Sequence, residues 1–150
     1  MNLKLTDDLT TGNELIDQQH KDIVNCIDKL VRASRQGRSK TEVAAAIAEF
    51  EKYISEHFRD EEQLQVDTSY PGIEAHKAHH DQFRRSFEEF KRKSEKIGIS
   101  HSLVIQLLSM ATDWFNFHIN EMDRALAAYL RENNRPGSIT VPGEKTPAKS

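Results

Sequence analysis

The chain has 150 residues, a length that suits one domain with a sizeable hydrophobic core. Its 21 lysines and arginines stand against 24 aspartates and glutamates, so the formal net charge is −3. This balance gives no reason to expect nucleic acid or a membrane as partner, and no apolar run approaches the roughly 18–20 residues that span a bilayer.

The first predicted element is an N-terminal arm, residues 1–12, which shows no hydrophobic periodicity. It carries Asp7 and Asp8 and lacks the basic end and apolar middle of a signal peptide. The single Cys26 cannot form an internal disulfide, and we interpret it as a small apolar filler at a helix flank. Both observations predict a cytoplasmic protein.

Four helices are predicted after the arm, because glycine and proline are sparse between long segments rich in Ala, Leu, Glu, Lys and Arg. The predicted helices run from Asn13 to Gln36, Thr41 to Val66, Gly72 or Ile73 to Lys96, and Ser100 or Ser102 to Glu132. Ser39 or Thr41 would cap the second helix and Ser69 the third. Residues 1–132 thus form the predicted domain, and 133–150 have the composition of a flexible tail.

Apolar residues recur at three- and four-residue steps in all four helices, as in helices that each bury one face. With short connections, this pattern predicts an all-α, antiparallel up-down-up-down four-helix bundle. The apolar positions are Ile16, Ile23, Ile27, Leu30; Val43, Ile47, Phe50, Ile54, Leu64; Ile73, Phe83, Phe87, Phe90, Ile97; and Val104, Leu107, Ala111, Trp114, Ala125.

Histidines and carboxylates interrupt these apolar faces. An imidazole or carboxylate buried there without a partner would cost several kcal/mol, so each needs a hydrogen bond or a metal. With about 1.5 Å of rise per residue, the antiparallel arrangement brings all seven to nearly one depth. The seven candidate metal ligands are His20, His57, Glu61, His76, His80, His118 and Asp123.

The spacing from His118 to Asp123 is five residues, which an ideal α-helix would splay by about 140°. We therefore predict a local π-helical widening there, a distortion often found at functional sites. Regular α-helical bonding would contradict this and would make Glu121 a rival ligand.

Five imidazoles and two carboxylates exceed the four ligands of tetrahedral zinc, and calcium or magnesium would require mostly oxygen. Two first-row metals bridged by both carboxylates fit this donor set, and imidazole with carboxylate suits iron. With a bridging oxygen from solvent, the metal with three histidines is fully coordinated. The metal with two histidines keeps an open position, which suits a small neutral ligand such as O2.

Four ordered motifs make residues 5–130 resemble the bacterial hemerythrins. The motifs are Ile16-Asp17-Gln18-Gln19-His20-Lys21; His57-Phe58-Arg59-Asp60-Glu61-Glu62; Tyr70-Pro71 leading to His76, His80 and Phe83; and Trp114-Phe115-Asn116-Phe117-His118-Ile119 with Asp123. The resemblance implies an oxo- or hydroxo-bridged di-iron centre, with two Fe ions per chain and O2 as ligand. By position, one iron would be bound by His76, His80 and His118. The iron with the open position would be bound by His20 and His57, and both irons would be bound by Glu61 and Asp123.

Two residues depart from the family pattern. Thr6 stands where a tryptophan is usual, and Gln65 where a methionine is common. Neither is a candidate ligand, but Thr6 would loosen the cover near the site and so affect O2 affinity and autoxidation.

Other residues near the ligands receive simpler interpretations. His79 would point roughly 60° or more away from both neighbouring ligands, at the surface. His101 is interpreted as a helix-start residue at the end of the bundle opposite the candidate ligands. Glu62 is interpreted as a solvated residue that could also hydrogen-bond to a ligand from outside the metal site. The residues assigned to the core are Phe58, Phe83, Phe87, Trp114 and Phe117.

The predicted function is reversible dioxygen binding for storage, delivery or scavenging, without catalysis. An oxygen or redox sensor that acts through a protein partner is the first alternative. A di-iron oxidase or peroxidase comes last, because such sites are commonly carboxylate-rich, whereas histidines predominate here.

Overall fold

The computed structural model describes residues 10–133 of the chain. Within them the helices are α1 (Glu14–Arg35), α2 (Lys40–Asp67), α3 (Ile73–Ile97), α4 (His101–Phe117) and α5 (Arg124–Glu132), and a π-helical segment, His118–Asp123, joins α4 to α5. The described residues contain no β-strand. Most of the predicted arm, including Thr6, and the predicted tail from residue 134 lie outside them.

Four helices pack as an antiparallel bundle, and the fourth helix consists of α4, the π-helical segment and α5 in succession. Helix α1 contacts α2 and α4, and α3 contacts α2 and α4, so the helices form a closed ring. The connections 36–39, 68–72 and 98–100 are too short to reverse this alternation. The prediction of an all-α up-down-up-down bundle is confirmed. Across residues 10–133, no helix has both the length and the hydrophobicity needed to cross a bilayer.

Side-chain caps explain where three of the helices begin. Asn13 accepts a hydrogen bond from the amide three residues on (3.1 Å), and Ser100 does the same (3.1 Å). Ser39 and Glu42 form a reciprocal capping box, with each side chain bonded to the other's backbone amide. Of the predicted alternatives, Ser39 therefore caps the second helix, and Ser100 caps the fourth, which begins at His101.

The prediction that Ser69 caps the third helix is wrong. Ser69 lies in the preceding turn with φ of 54°, and Gly72 precedes α3 without a side-chain cap. The first amide of α3, that of Ile73, instead bonds to the carbonyl of Tyr70 (3.3 Å). The ring of Tyr70 folds so closely over Gly72 that a Cβ there would lie 2.8 Å from it.

Two apolar clusters fill the bundle, and the candidate ligands lie where the two clusters meet. The smaller cluster, at one end, consists of Ile16, Leu64, Leu126 and Leu130, with Tyr70 and Tyr129 packed against it. The larger cluster, from Ile23 on α1 to Ile119 on the fourth helix, fills the remaining length. The polar ligands are therefore enclosed by hydrocarbon on both sides.

Three residues predicted to be buried are exposed: Ile97 (71%), Phe117 (53%) and Ala125. Ile97 is the last residue of α3 and extends past the packed layers. Phe117 lies two residues after the fully buried Phe115, and two α-helical steps rotate it by about 200° to the outer face. The π-helical segment changes the phase of α5, so Leu126 is buried in place of Ala125.

Candidate metal centre

The seven predicted ligands meet in one pocket inside the bundle. Six of them are fully buried, and the seventh, His20, is 2% exposed. They come from α1, α2, α3 and the π-helical segment, at the level between the two apolar clusters. The convergence that antiparallel packing predicted is therefore observed.

The donor atoms fall into two groups of four, and in each group all atoms lie within 4.8 Å of one another. One group consists of Glu61, His76, His80 and His118; the other consists of His20, His57, Glu61 and Asp123. Glu61 belongs to both groups, so the two candidate sites are neighbours.

Both carboxylates divide their oxygens between the two sides of the pocket. Oε1 of Glu61 contacts Nε2 of His76 and lies 3.3 Å from Nε2 of His118, whereas its Oε2 lies 3.2 Å from Nε2 of His57. Asp123 places Oδ1 3.0 Å from Nε2 of His118 and Oδ2 2.8 Å from Nε2 of His20. Each carboxylate can thus contact two cations at once.

Hydrogen bonding within the protein does not satisfy these atoms. Nε2 of His20 and His57, Oε2 of Glu61 and both side-chain oxygens of Asp123 are buried, and although they lie close to one another, none makes a hydrogen bond of regular geometry within residues 10–133. Across the pocket, Nε2 of His76 and of His80 each lie 3.2 Å from Nε2 of His118. Imidazole nitrogens that face one another require a proton or a cation between them, so each of the two donor groups could hold a metal ion.

The fourth helix presents both of its candidate ligands to the pocket because its backbone widens locally. The predicted π-helical widening is confirmed over His118–Asp123, where both end residues are fully buried. The exposed Glu121 points away from the pocket and is not a rival ligand.

A model of the hemerythrin HHE cation binding domain matches residues 11–130, which is most of the chain. The chain belongs to the hemerythrin family. Bacteriohemerythrin from Pseudomonas paraeruginosa is 32% identical over 130 residues, covering 85% of this chain and 80% of the relative. Bacteriohemerythrin from Stenotrophomonas maltophilia is 30% identical over 125 residues, covering 83% of this chain and 79% of the relative.

A crystal structure of a mutant protein superimposes with a TM-score of 0.72 at 23% identity, covering 84% of this chain and 95% of that one. This likeness supports the fold. Membership of the hemerythrin family, together with the two donor groups, indicates a metal-binding protein whose function is related to O2.

Histidines and carboxylates shift one another's pKa within the pocket of this hemerythrin-family site. Burial alone would lower the pKa of His20 and of His76, but the carboxylates of Asp123 and Glu61 outweigh burial and raise both pKa values to about 10. Burial would raise the pKa of Glu61 and Asp123, yet the surrounding histidines lower both below their usual range. Protons on the histidines therefore offset the carboxylates in the protein alone.

A buried amide supports His57 from outside the pocket. Nδ1 of His57 lies 3.1 Å from Oε1 of Gln19, whose Nε2 donates to Oδ2 of Asp60 at 2.7 Å. Because Gln19 presents its carbonyl oxygen, Nδ1 of His57 carries the proton and leaves Nε2 free. Sequence reasoning assigned Gln19 no role, because its partner lies on another helix and no periodic signal links the two.

Glu62 supports His80 in the same way. Its Oε1 lies 3.0 Å from Nδ1 of His80 and 3.0 Å from Nη1 of Arg84. Partial burial alone would raise the pKa of Glu62, but His80 and Arg84 outweigh it and lower the pKa to about 2. The sequence suggested that Glu62 could hydrogen-bond to a ligand from outside the metal site, and Glu62 does contact the candidate ligand His80 directly.

The prediction that His79 is a surface residue is wrong. Its half-buried ring stacks on Trp114 with 4.4 Å between centroids, and its Nδ1 lies 2.9 Å from Nδ1 of His118. On α3 alone, His79 is rotated away from the two candidate ligands of that helix, but its side chain reaches across to His118 on the fourth helix. The pKa of His79 is lowered to about 4, mainly because the ring is partly buried and secondly because His118 lies nearby. His101 does begin α4, and it lies 3.1 Å from Oγ of Ser34.

Gln65 and Cys26 are both buried without a role in the donor set. Gln65 lies one turn after Glu61, and neither atom of its amide makes a hydrogen bond to a residue in the described range. Cys26 is 6% exposed, and burial raises the pKa of its thiol to about 11, as expected of an apolar filler.

Proposed function

We propose that this chain binds dioxygen reversibly at a di-iron centre. The observation that carries the proposal is the pair of overlapping donor groups, which share Glu61 and between which both carboxylates divide their oxygens. Such a donor set suits two neighbouring first-row metal ions, and its imidazole and carboxylate ligands suit iron.

Each side of the pocket would hold one ion. One iron would be held by His76, His80 and His118, and the other by His20 and His57. Both irons would be contacted by the two carboxylates, Glu61 and Asp123. When bound, the iron pair would supply the electrons with which O2 is held and the open position to which it binds. The side with two histidines has fewer protein donors and is therefore the side proposed to receive O2.

The protein's own contribution is to exclude water and to hold the imidazoles in position. Phe58 is fully buried, and its ring stacks on His80 with 4.0 Å between centroids and lies 6.0 Å from the ring of His57. Apolar side chains close both ends of the pocket. A neutral diatomic molecule loses little hydration on entering such a pocket, whereas a charged ligand would lose much.

The composition of the site supports binding rather than turnover. Five imidazoles and two carboxylates converge here, whereas the di-iron sites of ferritin-like proteins combine carboxylates from all four helices with Glu-x-x-His motifs. We therefore propose a carrier or store of O2 without enzymatic activity.

The test is a cycle of oxygenation. The full chain is loaded anaerobically with ferrous iron, its iron content is measured, and visible spectra are recorded as O2 is added and removed by vacuum. We expect two irons per chain and a coloured form that disappears and returns. Zinc-loaded protein is the control, because Zn²⁺ has no redox chemistry and should give no colour. Irreversible oxidation, turnover of an added reductant, or absence of stoichiometric iron would contradict the proposal.

A further inference from the structure

His118 has both ring nitrogens engaged. Its Nε2 faces the pocket, 3.0 Å from Oδ1 of Asp123 and 3.3 Å from Oε1 of Glu61. Its Nδ1 faces away from the pocket and lies 2.9 Å from Nδ1 of His79. The contact with His79 is therefore made through the nitrogen that a metal bound at Nε2 would leave free.

Proton counting assigns a direction to this contact. A neutral imidazole has one N–H donor and one acceptor nitrogen. If Nε2 of His118 offers its lone pair to a metal, Nδ1 of His118 must carry the proton. Nδ1 of His79 must then be the acceptor, with the proton of His79 on its own Nε2. The reverse arrangement would place a hydrogen on Nε2 of His118, where the metal would bind.

Trp114 holds the two rings in the geometry that this hydrogen bond requires. The planes of His79 and His118 differ by 10°. Both rings stack on the indole of Trp114 with 4.4 Å between centroids. The angle between the ring planes is 12° for His79 and Trp114 and 13° for His118 and Trp114. The two imidazoles thus lie side by side on one aromatic surface, so the line between their Nδ1 atoms runs close to both ring planes.

We propose that His79 is a positioning residue that fixes the tautomer and the orientation of His118 by accepting the hydrogen bond from its Nδ1. His79 can have this role only if the proposed function holds. Gln19 and Glu62 accept from His57 and His80 in the same way, through an amide and a carboxylate. Loss of such an outer partner typically costs about 10- to 100-fold in metal affinity.

The experiment compares His79→Asn with His79→Leu in the full iron-loaded chain. Both substitutions remove the ring that stacks on Trp114, and the two new side chains are similar in size. Only asparagine retains an acceptor, its Oδ1, near the position of the histidine Nδ1. We expect iron to leave the Leu variant for a strong chelator about 10- to 100-fold faster than it leaves the wild type, and the Asn variant to lie close to the wild type.

Substitutions at His101, which contacts Ser34 at the other end of the bundle, are the matched control. His101→Asn and His101→Leu should release iron at the wild-type rate. Far-UV circular dichroism checks that each variant is folded, and His79→Ala, which also lacks an acceptor, replaces the Leu variant if that variant does not fold.

Two results would overturn the role of His79 while the proposed function stands: wild-type release rates in His79→Leu, or equally fast release in the Asn and Leu variants. Equally fast release would mean that His79 acts through packing on Trp114. Wild-type protein without stoichiometric iron would instead contradict the proposed function, and the role of His79 with it.

Discussion

Three of the five candidate ligand histidines have a side-chain partner for Nδ1 among residues 10–133. His57 bonds to Gln19, His80 to Glu62, and His118 lies against His79. Each partner would keep the proton on Nδ1 and direct the Nε2 lone pair into the pocket. At this scale the pocket is built from pairs of residues, one that faces its interior and one that contacts the first from outside.

His118 is the residue whose removal tests the ligand assignment most directly. His118→Ala would remove one of three imidazoles from one donor group and leave a cavity beside Glu61 and Asp123. Iron measured after loading and desalting should fall below two per chain. His101→Ala, at the opposite end of the bundle, should retain the wild-type content, and full retention in His118→Ala would show that His118 is not a ligand.

Glu62 predicts a specific dependence of stability on pH in protein without bound metal. Its pKa is lowered to about 2 from a usual value of 4.5 by His80 and Arg84, which outweigh burial. A carboxyl group with a lowered pKa stabilises the fold above its unfolded pKa, and this contribution is lost as the pH falls through the folded pKa. Glu62→Gln should therefore be less stable than the wild type at pH 6, and the difference should narrow as the pH falls from 4.5 towards 2.

Urea unfolding at a series of pH values measures this difference. Glu121→Gln, which removes an exposed carboxylate, serves as the control and should track the wild type. A destabilisation by Glu62→Gln that is the same at every pH would mean that the charge of Glu62 is not what stabilises its contacts.

At the scale of elements, the ends of the helices decide how precisely the ligands are placed. The π-helical segment presents His118 and Asp123 to one pocket although they are five residues apart. The start of α1, one turn before His20, is fastened by a short network. Asp17 accepts hydrogen bonds from the amide (2.8 Å) and hydroxyl (2.9 Å) of Thr11 and from the amide of Gly12 (3.3 Å).

Asp17→Asn should destabilise the fold, because one of the two acceptor oxygens becomes an NH2 group that faces other donors. Both donors of the buried Thr11 bind the same oxygen, Oδ1, which an asparagine can keep, so its NH2 group would face the exposed amide of Gly12, and the bonds to Thr11 would lose the carboxylate charge. The expected loss is about 1 kcal/mol in the free energy of unfolding, measured by urea denaturation. Asp28→Asn, on the exposed face of α1, is the matched control; equal stability of the two variants would show that the network contributes nothing.

At the scale of the whole molecule, metal binding is coupled to protonation. The carboxylates of Asp123 and Glu61 outweigh burial and hold the pKa of His20 and His76 at about 10, so both histidines are protonated at neutral pH in protein without metal. A metal ion binds only the neutral imidazole. Loading must therefore release protons, and the apparent metal affinity must rise with pH.

Anaerobic titration of ferrous iron into weakly buffered protein with a pH indicator should show acidification, and apparent affinity should be higher at pH 8 than at pH 6. His20→Ala should release fewer protons, because one protonated imidazole is missing. Iron uptake with no change in pH would contradict the charge balance described for the pocket.

The sequence by itself determined the helices, the bundle and the set of candidate ligands. Helical periodicity is a local property, and a polar residue that interrupts an apolar face is visible without coordinates. Even the π-helical widening followed from the spacing of His118 and Asp123. The ligand roles themselves, and the division into residues 1–132 and a tail, stay predictions.

Only the tertiary structure decided which side chains contact the candidate ligands from outside the pocket. His79 reaches His118 across 39 residues of sequence, and Gln19 reaches His57 across 38. Such contacts depend on the rotation of each helix about its axis and on the rotamers that packing selects, and neither is encoded in the periodicity of a single helix. The exposure of Ala125 was mispredicted for the same reason, since burial there depends on the phase of α5 after the π-helical segment. Phe117 lies before that segment, and the α-helical rotation between it and the buried Phe115 accounts for its exposure.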